Sequence, residues 1–208
     1  MTRALYLVHG WGFDASFWAP LLAHLPDVNA QVVNCGYFAS EDRPALPDMP
    51  YLAIGHSAGS LALLGQDLPG CEGLVFFNGF PRFTAAADFP DGTPERVLTR
   101  MRARLKRDPV AVLHDFRALC GTEAPLPGAP DVDALDRGLE ALQHQDHQTR
   151  AADWGNRLHW MTGTDDPFGA AQAGFTSPGG RVAGGHLLPL THPGLCADFV
   201  RRRLDDAP

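Results

Sequence analysis

The segment Tyr51-Leu-Ala-Ile-Gly-His-Ser-Ala-Gly-Ser60 constrains this chain more than any other. A short apolar run ends in Gly55-His56-Ser57-Ala58-Gly59, a G-x-S-x-G pattern. A small, apolar helix candidate follows from Ala58 to Gln66, with Leu61, Ala62, Leu63 and Leu64. A strand that gives way to a helix over so few residues must turn sharply. The serine then sits at the apex with its hydroxyl exposed and its backbone strained. The flanking glycines are needed because strand and helix cross closely there. An ordinary glycine-rich turn would also hold a serine, but the strand before it and the helix after it favour the nucleophile geometry.

The rest of the chain supplies a sheet for that turn. Short apolar runs at Ala4–Val8, Gln31–Asn34, Tyr51–Ile54, Gly73–Phe77, Leu158–Met161 and Arg181–Ala183 read as strands. Most are near-continuously apolar, as in a parallel sheet covered on both faces. Helical patterns at Ser16–Leu25, Ala58–Gln66 and Pro193–Leu204 lie between or after them, which gives an α/β fold. Ser40–Pro50 carries three prolines and no period, so it reads as a loop.

Residues 81–150 break the alternation. A loop from Phe83 to Pro94 leads into helical patterns at Glu95–Arg107, Val110–Cys120 and Asp131–Gln145, each with an apolar stripe, and Gly121 stops the second. The expected organisation is a core from residues 1–80 and 151–208 with a helical cap, residues 81–150, inserted between its fourth and fifth strands.

Composition narrows the function classes. The formal charge of −7 argues against nonspecific nucleic-acid binding. No apolar run approaches the roughly 20 residues that span a bilayer, and Arg3 leads straight into a strand without a long apolar leader. The expectation is a soluble, unexported, cytoplasmic protein with no membrane or nucleic-acid partner. Cys35, Cys71, Cys120 and Cys196 are far apart with no C-x-x-C spacing, so reduced thiols are expected.

A serine hydroxyl becomes a nucleophile when a base takes its proton, usually a histidine held by a carboxylate. Asp165 and Asp166 follow the fifth strand run, and Gly184-Gly185-His186 follows the sixth. Residues at the carboxyl ends of strands converge in an open α/β sheet, and Ser57, Asp, His186 is the hydrolase order. On position alone either aspartate can be the acid. His192 precedes Pro193 at a helix start and reads as a cap or surface residue. His144 and His147 lie three apart at a helix end, but no carboxylate or cysteine cluster backs them as a metal pair, so a solvated face is expected. An oxyanion needs two backbone N–H donors. Ala58, after the nucleophile, is one candidate. Trp11, in Val8-His9-Gly10-Trp11-Gly12 after the first strand, is the other, with its ring expected as a wall of an acyl pocket.

His9-Gly10-Trp11-Gly12, Gly55-His56-Ser57-Ala58-Gly59, Gly163-Thr-Asp-Asp166 and Gly185-His186 together resemble the α/β-hydrolase superfamily in order and spacing over nearly the whole chain. Within it the chain most resembles the pimeloyl-acyl-carrier-protein methyl ester esterases of biotin synthesis. The pointers are Leu7–Phe13 with Phe17-Trp18, Phe77-Asn78-Gly79-Phe80-Pro81 and, more weakly, Phe116–Gly121. The first strand here corresponds to that family's third. The helix between the second and third strands seen here is missing or reduced, which leaves a minimal sheet of about six strands in the order 2-1-3-4-5-6.

The resemblance implies a serine carboxylesterase that needs no cofactor or metal, with Ser57, Asp166 and His186 catalytic and Asn78 and Phe80 at the substrate. Related chemistries on the same residues are thioester or lactone hydrolysis and cofactor-free perhydrolysis. A non-catalytic binding protein on the same scaffold is the alternative of another class. Arg96, Arg100, Arg104 and Arg107 fall on one face of the first inserted helix. Seven basic residues lie from Glu95 to Arg117 against three acidic ones. In the resembling esterases, cap arginines hold the acyl carrier protein. Arg96, Arg100 and Arg104 are therefore expected to bind the substrate's carrier, and a solvated basic face is the competing explanation.

Overall fold

The computed structural model of this chain describes residues 3–206. β1 (Ala4–Val8) leads through a 3₁₀ turn at Ala15–Trp18 into α1 (Ala19–Ala23). Then come β2 (Asn29–Val33), β3 (Tyr51–His56), α2 (Ala58–Leu64) and β4 (Cys71–Phe77). Four helices follow before the next strand: α3 (Glu95–Leu105), α4 (Pro109–Cys120), α5 (Val132–His144) and α6 (Gln148–Trp154). β5 (Leu158–Gly163), α7 (Gly169–Ala173), β6 (Gly179–Val182), α8 (Leu188–Thr191) and α9 (Pro193–Asp206) complete the chain.

The strands form one parallel six-stranded sheet in the order β2-β1-β3-β4-β5-β6, the order the resemblance implies. β1 and β3 are buried at every position. Successive side chains point to opposite faces. Leu5 and Leu7 therefore join one core with Leu52, Ile54, Val75 and Phe77, while Tyr6 and Val8 join the other with Ala53, Leu74 and Phe76. This burial on both faces is why the inner strands lack polar alternation. The edge strands β2 and β6 are largely half-buried or exposed, and their ends depart from the expected Gln31–Asn34 and Arg181–Ala183. Between β2 and β3 the chain makes only an antiparallel bridge, Asn34 to Asp42. No helix forms there among the described residues.

The segment between β4 and β5 packs on the sheet through the first of these cores. Leu98, Leu105, Leu135, Leu139 and Leu142 belong to the same cluster as Leu7 and Ile54. Asp108 caps α4 by accepting from Ala111 N–H, and Asp131 caps α5 by accepting from Ala134 N–H. Arg102 grips Asp136 with two hydrogen bonds, 2.7 and 3.0 Å, and so joins α3 to α5. The two ends of the segment meet in a bridge between Arg82 and Asp146. Three short helices, α6, α7 and α8, lie outside the expected set. With four to seven residues each, they are too short to establish an apolar period in sequence.

Candidate active site

The turn after β3 carries the sharpest backbone conformation of the site. Ser57 has φ 51° and ψ −122°, and only Asn78 shares a positive φ among the described residues other than glycine. Such a conformation costs on the order of 1–3 kcal/mol and persists only where neighbours hold it. Ser57 N–H donates to Phe77 O (3.1 Å). Ser60 Oγ donates to Ser57 O (2.6 Å) and accepts from Phe80 N–H (3.1 Å). A Cβ on Gly59 would lie 2.1 Å from Val8 O, so α2 crosses β1 at a distance only glycine allows.

Ser57 Oγ lies 3.0 Å from His186 Nε2, and His186 Nδ1 lies 2.7 Å from Asp166 Oδ2. A carboxylate only accepts, so Nδ1 carries the proton and Nε2 presents its lone pair to the serine. Both side chains of the His–Asp pair are fully buried. Asp166 is further fixed by Phe168 N–H on Oδ1 (2.9 Å) and Asn78 Nδ2 on Oδ2 (2.7 Å). Asp165, one residue away, is exposed and does not enter this array. His192 hydrogen bonds to its neighbour Thr191 instead. His147 is half-buried beside Gly65, not on a solvated face.

Ala58 is the first residue of α2, where an amide has no partner within its helix. The Trp11 N–H makes no hydrogen bond to another described residue. The Trp11 ring departs from its expected place as a pocket wall. It is 1% exposed, its Nε1 donates to Leu135 O (2.9 Å), and it packs edge-on against Phe116 at 4.8 Å. The ring bolts the loop after β1 to α5, and Phe116 takes the pocket position.

An apolar cavity of about 290 Å³ lies among α3, α4 and α5, with none of Ser57, Asp166 and His186 in its lining. Phe83, Met101, Phe116 and Phe168 line it, with Arg100 and Arg104 at its margin. Phe168 also lies edge-on against His186 at 4.6 Å, so its ring separates the cavity from the base. Two expected substrate residues sit elsewhere. Asn78 is fully buried and commits its amide to Asp166 and to Gly185 O (3.0 Å). Phe80 is fully buried behind Phe83, 5.0 Å between centroids. The place of Asn78 directly after a strand end was the available signal for its contact with the acid.

The basic stretch divides. Arg96, Arg100 and Arg104 are exposed on α3, with Arg104 paired to Asp115 at 2.5 Å, while Arg107, expected on the same helix, is exposed in the turn after α3 ends at Leu105. Arg117 is not part of that surface. It is 7% exposed, donates to Gly12 O (3.1 Å) and lies 4.8 Å from the Phe13 ring centroid. Burial lowers its pKa, while the carbonyl and the ring face offset the cost of the charge.

Solved structures repeat this architecture. A bromoperoxidase from Bacillus anthracis superposes with a TM-score of 0.79 over 99% of this chain and 93% of that one, at 16% identity. An esterase from Exiguobacterium antarcticum gives 0.79 over 98% and 92%, at 14% identity. This is the α/β-hydrolase fold. No family model matches the chain. In sequence it is similar to the pimeloyl-[acyl-carrier protein] methyl ester esterase of Xanthomonas oryzae pv. oryzae, 25% identical over 99% of this chain and 96% of that protein. These likenesses support an esterase of the α/β-hydrolase type.

Proposed function

We propose that this chain is a serine carboxylesterase whose substrate is the methyl ester of a pimeloyl group carried on acyl carrier protein, acting in biotin synthesis in the cytoplasm. The observation that carries the reading is the run of short contacts from Ser57 Oγ to His186 to Asp166. Ser57 Oγ attacks the ester carbon as His186 Nε2 takes its proton, and Asp166 holds the imidazolium that forms. The Trp11 and Ala58 N–H groups receive the developing oxyanion. His186 returns the proton to the departing methanol. Water, deprotonated by the same nitrogen, then cleaves the acyl-enzyme and releases the acid.

Substrate class rests on the segment between β4 and β5, which acts as a cap. The apolar cavity suits a methylene chain. Arg96 and Arg100 form no ion pair with another described residue and stand with Arg104 on the exposed face of α3, which suits an acidic carrier and a phosphate arm. The relatives' name supports the same choice.

The test is a substrate panel: a methyl ester on acyl carrier protein, the free methyl ester, a p-nitrophenyl ester, a thioester and a lactone. The expected ranking in kcat/KM puts the carrier methyl ester first. A thioester or lactone turned over best would reassign the reaction, and no turnover of any member would reduce the chain to a binding protein.

A further inference from the structure

The base sits on a glycine-rich loop next to a largely exposed edge strand. His186 follows Gly184-Gly185, directly after edge strand β6, whose residues are mostly exposed. Gly184 has φ +139°, a conformation that leaves the loop without the restraint a side chain imposes. Proton transfer from Ser57 needs the imidazole placed closely, since misplacement of about 1 Å can cost on the order of 100-fold in rate.

Three consecutive carbonyls of this loop are each held by a donor from a different part of the fold. Gly184 O accepts from Asp165 N–H (2.9 Å). Gly185 O accepts from Asn78 Nδ2 (3.0 Å). His186 O accepts from His56 Nε2 (2.9 Å). Asn78 and His56 are both fully buried, one at the end of β4 and the other at the end of β3. We infer that His56 and Asn78 are positioning residues, a two-sided clamp on the Gly185–His186 backbone that sets the base against Ser57. This rests on reading Ser57 and His186 as nucleophile and base.

The chemistry of His56 fits that task. A carbonyl oxygen only accepts, so Nε2 carries the proton. Nδ1 is buried without a hydrogen-bond partner among the described residues, which fits a neutral ring and not a cation. The ring is wedged by stacking on Phe17 at 4.3 Å and lies 5.0 Å from the His186 ring. Burial and the neighbouring His186 push its pKa well below the ordinary range. The donor is thus fixed in tautomer, in charge and in direction. Asn78 adds a second link, because the same amide nitrogen also reaches Asp166. Base and acid are therefore gauged from one side chain.

The experiment compares His56→Leu, His56→Gln, Asn78→Gly and Ser57→Ala in the full chain, with thermal melts. Leucine keeps volume and removes the donor, glutamine restores an N–H, and glycine tolerates the positive φ while removing the amide. Expected is a fall in kcat of about 10- to 100-fold for His56→Leu and Asn78→Gly, with KM within about two-fold. His56→Gln should recover most of the loss. The rate of Ser57 phosphonylation by a fluorophosphonate should fall in parallel. Folded His56→Leu and Asn78→Gly with wild-type kcat, or a loss confined to KM, overturn the clamp. Where His56→Leu does not fold, Asn78→Gly decides by the same criteria. Ser57→Ala separates the two ideas: activity retained there removes the underlying reading, whereas an inactive Ser57→Ala beside fully active clamp variants removes the clamp alone.

Discussion

Ser57 Oγ and His186 Nε2 are 3.0 Å apart although 129 residues separate them in the chain. The parallel sheet makes this contact. β3 and β6 deliver their carboxyl ends to one edge, and Asp166 arrives there from the end of β5. The positive φ of Ser57 lifts its side chain out of the strand toward the imidazole.

Asp166→Asn is expected to lower kcat by about 10³- to 10⁴-fold, because an amide facing Nδ1 favours the wrong imidazole tautomer. Asp165→Asn should stay near wild type, since that side chain is exposed and only its backbone N–H is engaged. Steady-state kinetics on a p-nitrophenyl ester decides, and the reverse ranking would transfer the acid to Asp165.

Gly59→Ala should destabilise the fold by about 1–3 kcal/mol or more. Its new methyl would press on Val8 O and force α2 away from β1. A thermal melt equal to wild type would mean that the elbow has slack the contact geometry does not suggest.

Stability should fall as pH drops below about 6.5. Burial pushes His9 down to about 4, with Asp14 favouring and Arg43 opposing the charged form more weakly. In the unfolded chain the same ring ionises near 6.5. Between these values the unfolded chain takes up a proton that the folded chain refuses, so stability declines as pH falls through that window and is flat above it. His9 alone contributes about 1.4 kcal/mol per pH unit, about 3 kcal/mol by pH 4, and His56 acts in the same direction. Denaturant midpoints measured from pH 8 to pH 4 should show the decline, and His9→Gln should flatten it. An unchanged slope in that variant contradicts the assignment.

Reversing Arg100 and Arg104 to Glu should lower kcat/KM for an acyl-carrier-protein ester about ten-fold at low salt and less at high salt. A small p-nitrophenyl ester should be turned over nearly as before, because both side chains are exposed at the cavity margin and distant in role from Ser57. Equal effects on both substrates, or none, would leave a generic small-ester hydrolase.

The inner strands and the elbow were legible because burial on both faces writes continuous apolar runs, and because a tight strand–helix crossing demands Gly59. The α/β class followed from the alternation of strands and helices, and the sheet order from the resemblance to the hydrolase family. What could not be read depends on contacts between distant segments. Arg117 looks like one more surface charge until Gly12 O and the Phe13 ring are brought to it. Trp11 looks like a pocket wall until Leu135 offers its carbonyl. Asn78 looks available to substrate until Asp166 and Gly185 surround its amide. The edge strands β2 and β6 shift by one or two residues from their expected limits because half-exposed strands carry little apolar signal.

In the proposed mechanism, Ser57 acts as a nucleophile because His186 takes its proton. The most direct measurement is labelling with a fluorophosphonate, with the adduct located by peptide mass spectrometry and hydrolysis followed in parallel. One adduct is expected, on Ser57, with activity lost in proportion to labelling, and neither adduct nor more than a few per cent of activity in Ser57→Ala, consistent with the loss of several orders of magnitude when a nucleophile is removed. An adduct on another residue, or a Ser57→Ala variant that still turns over ester, would contradict it.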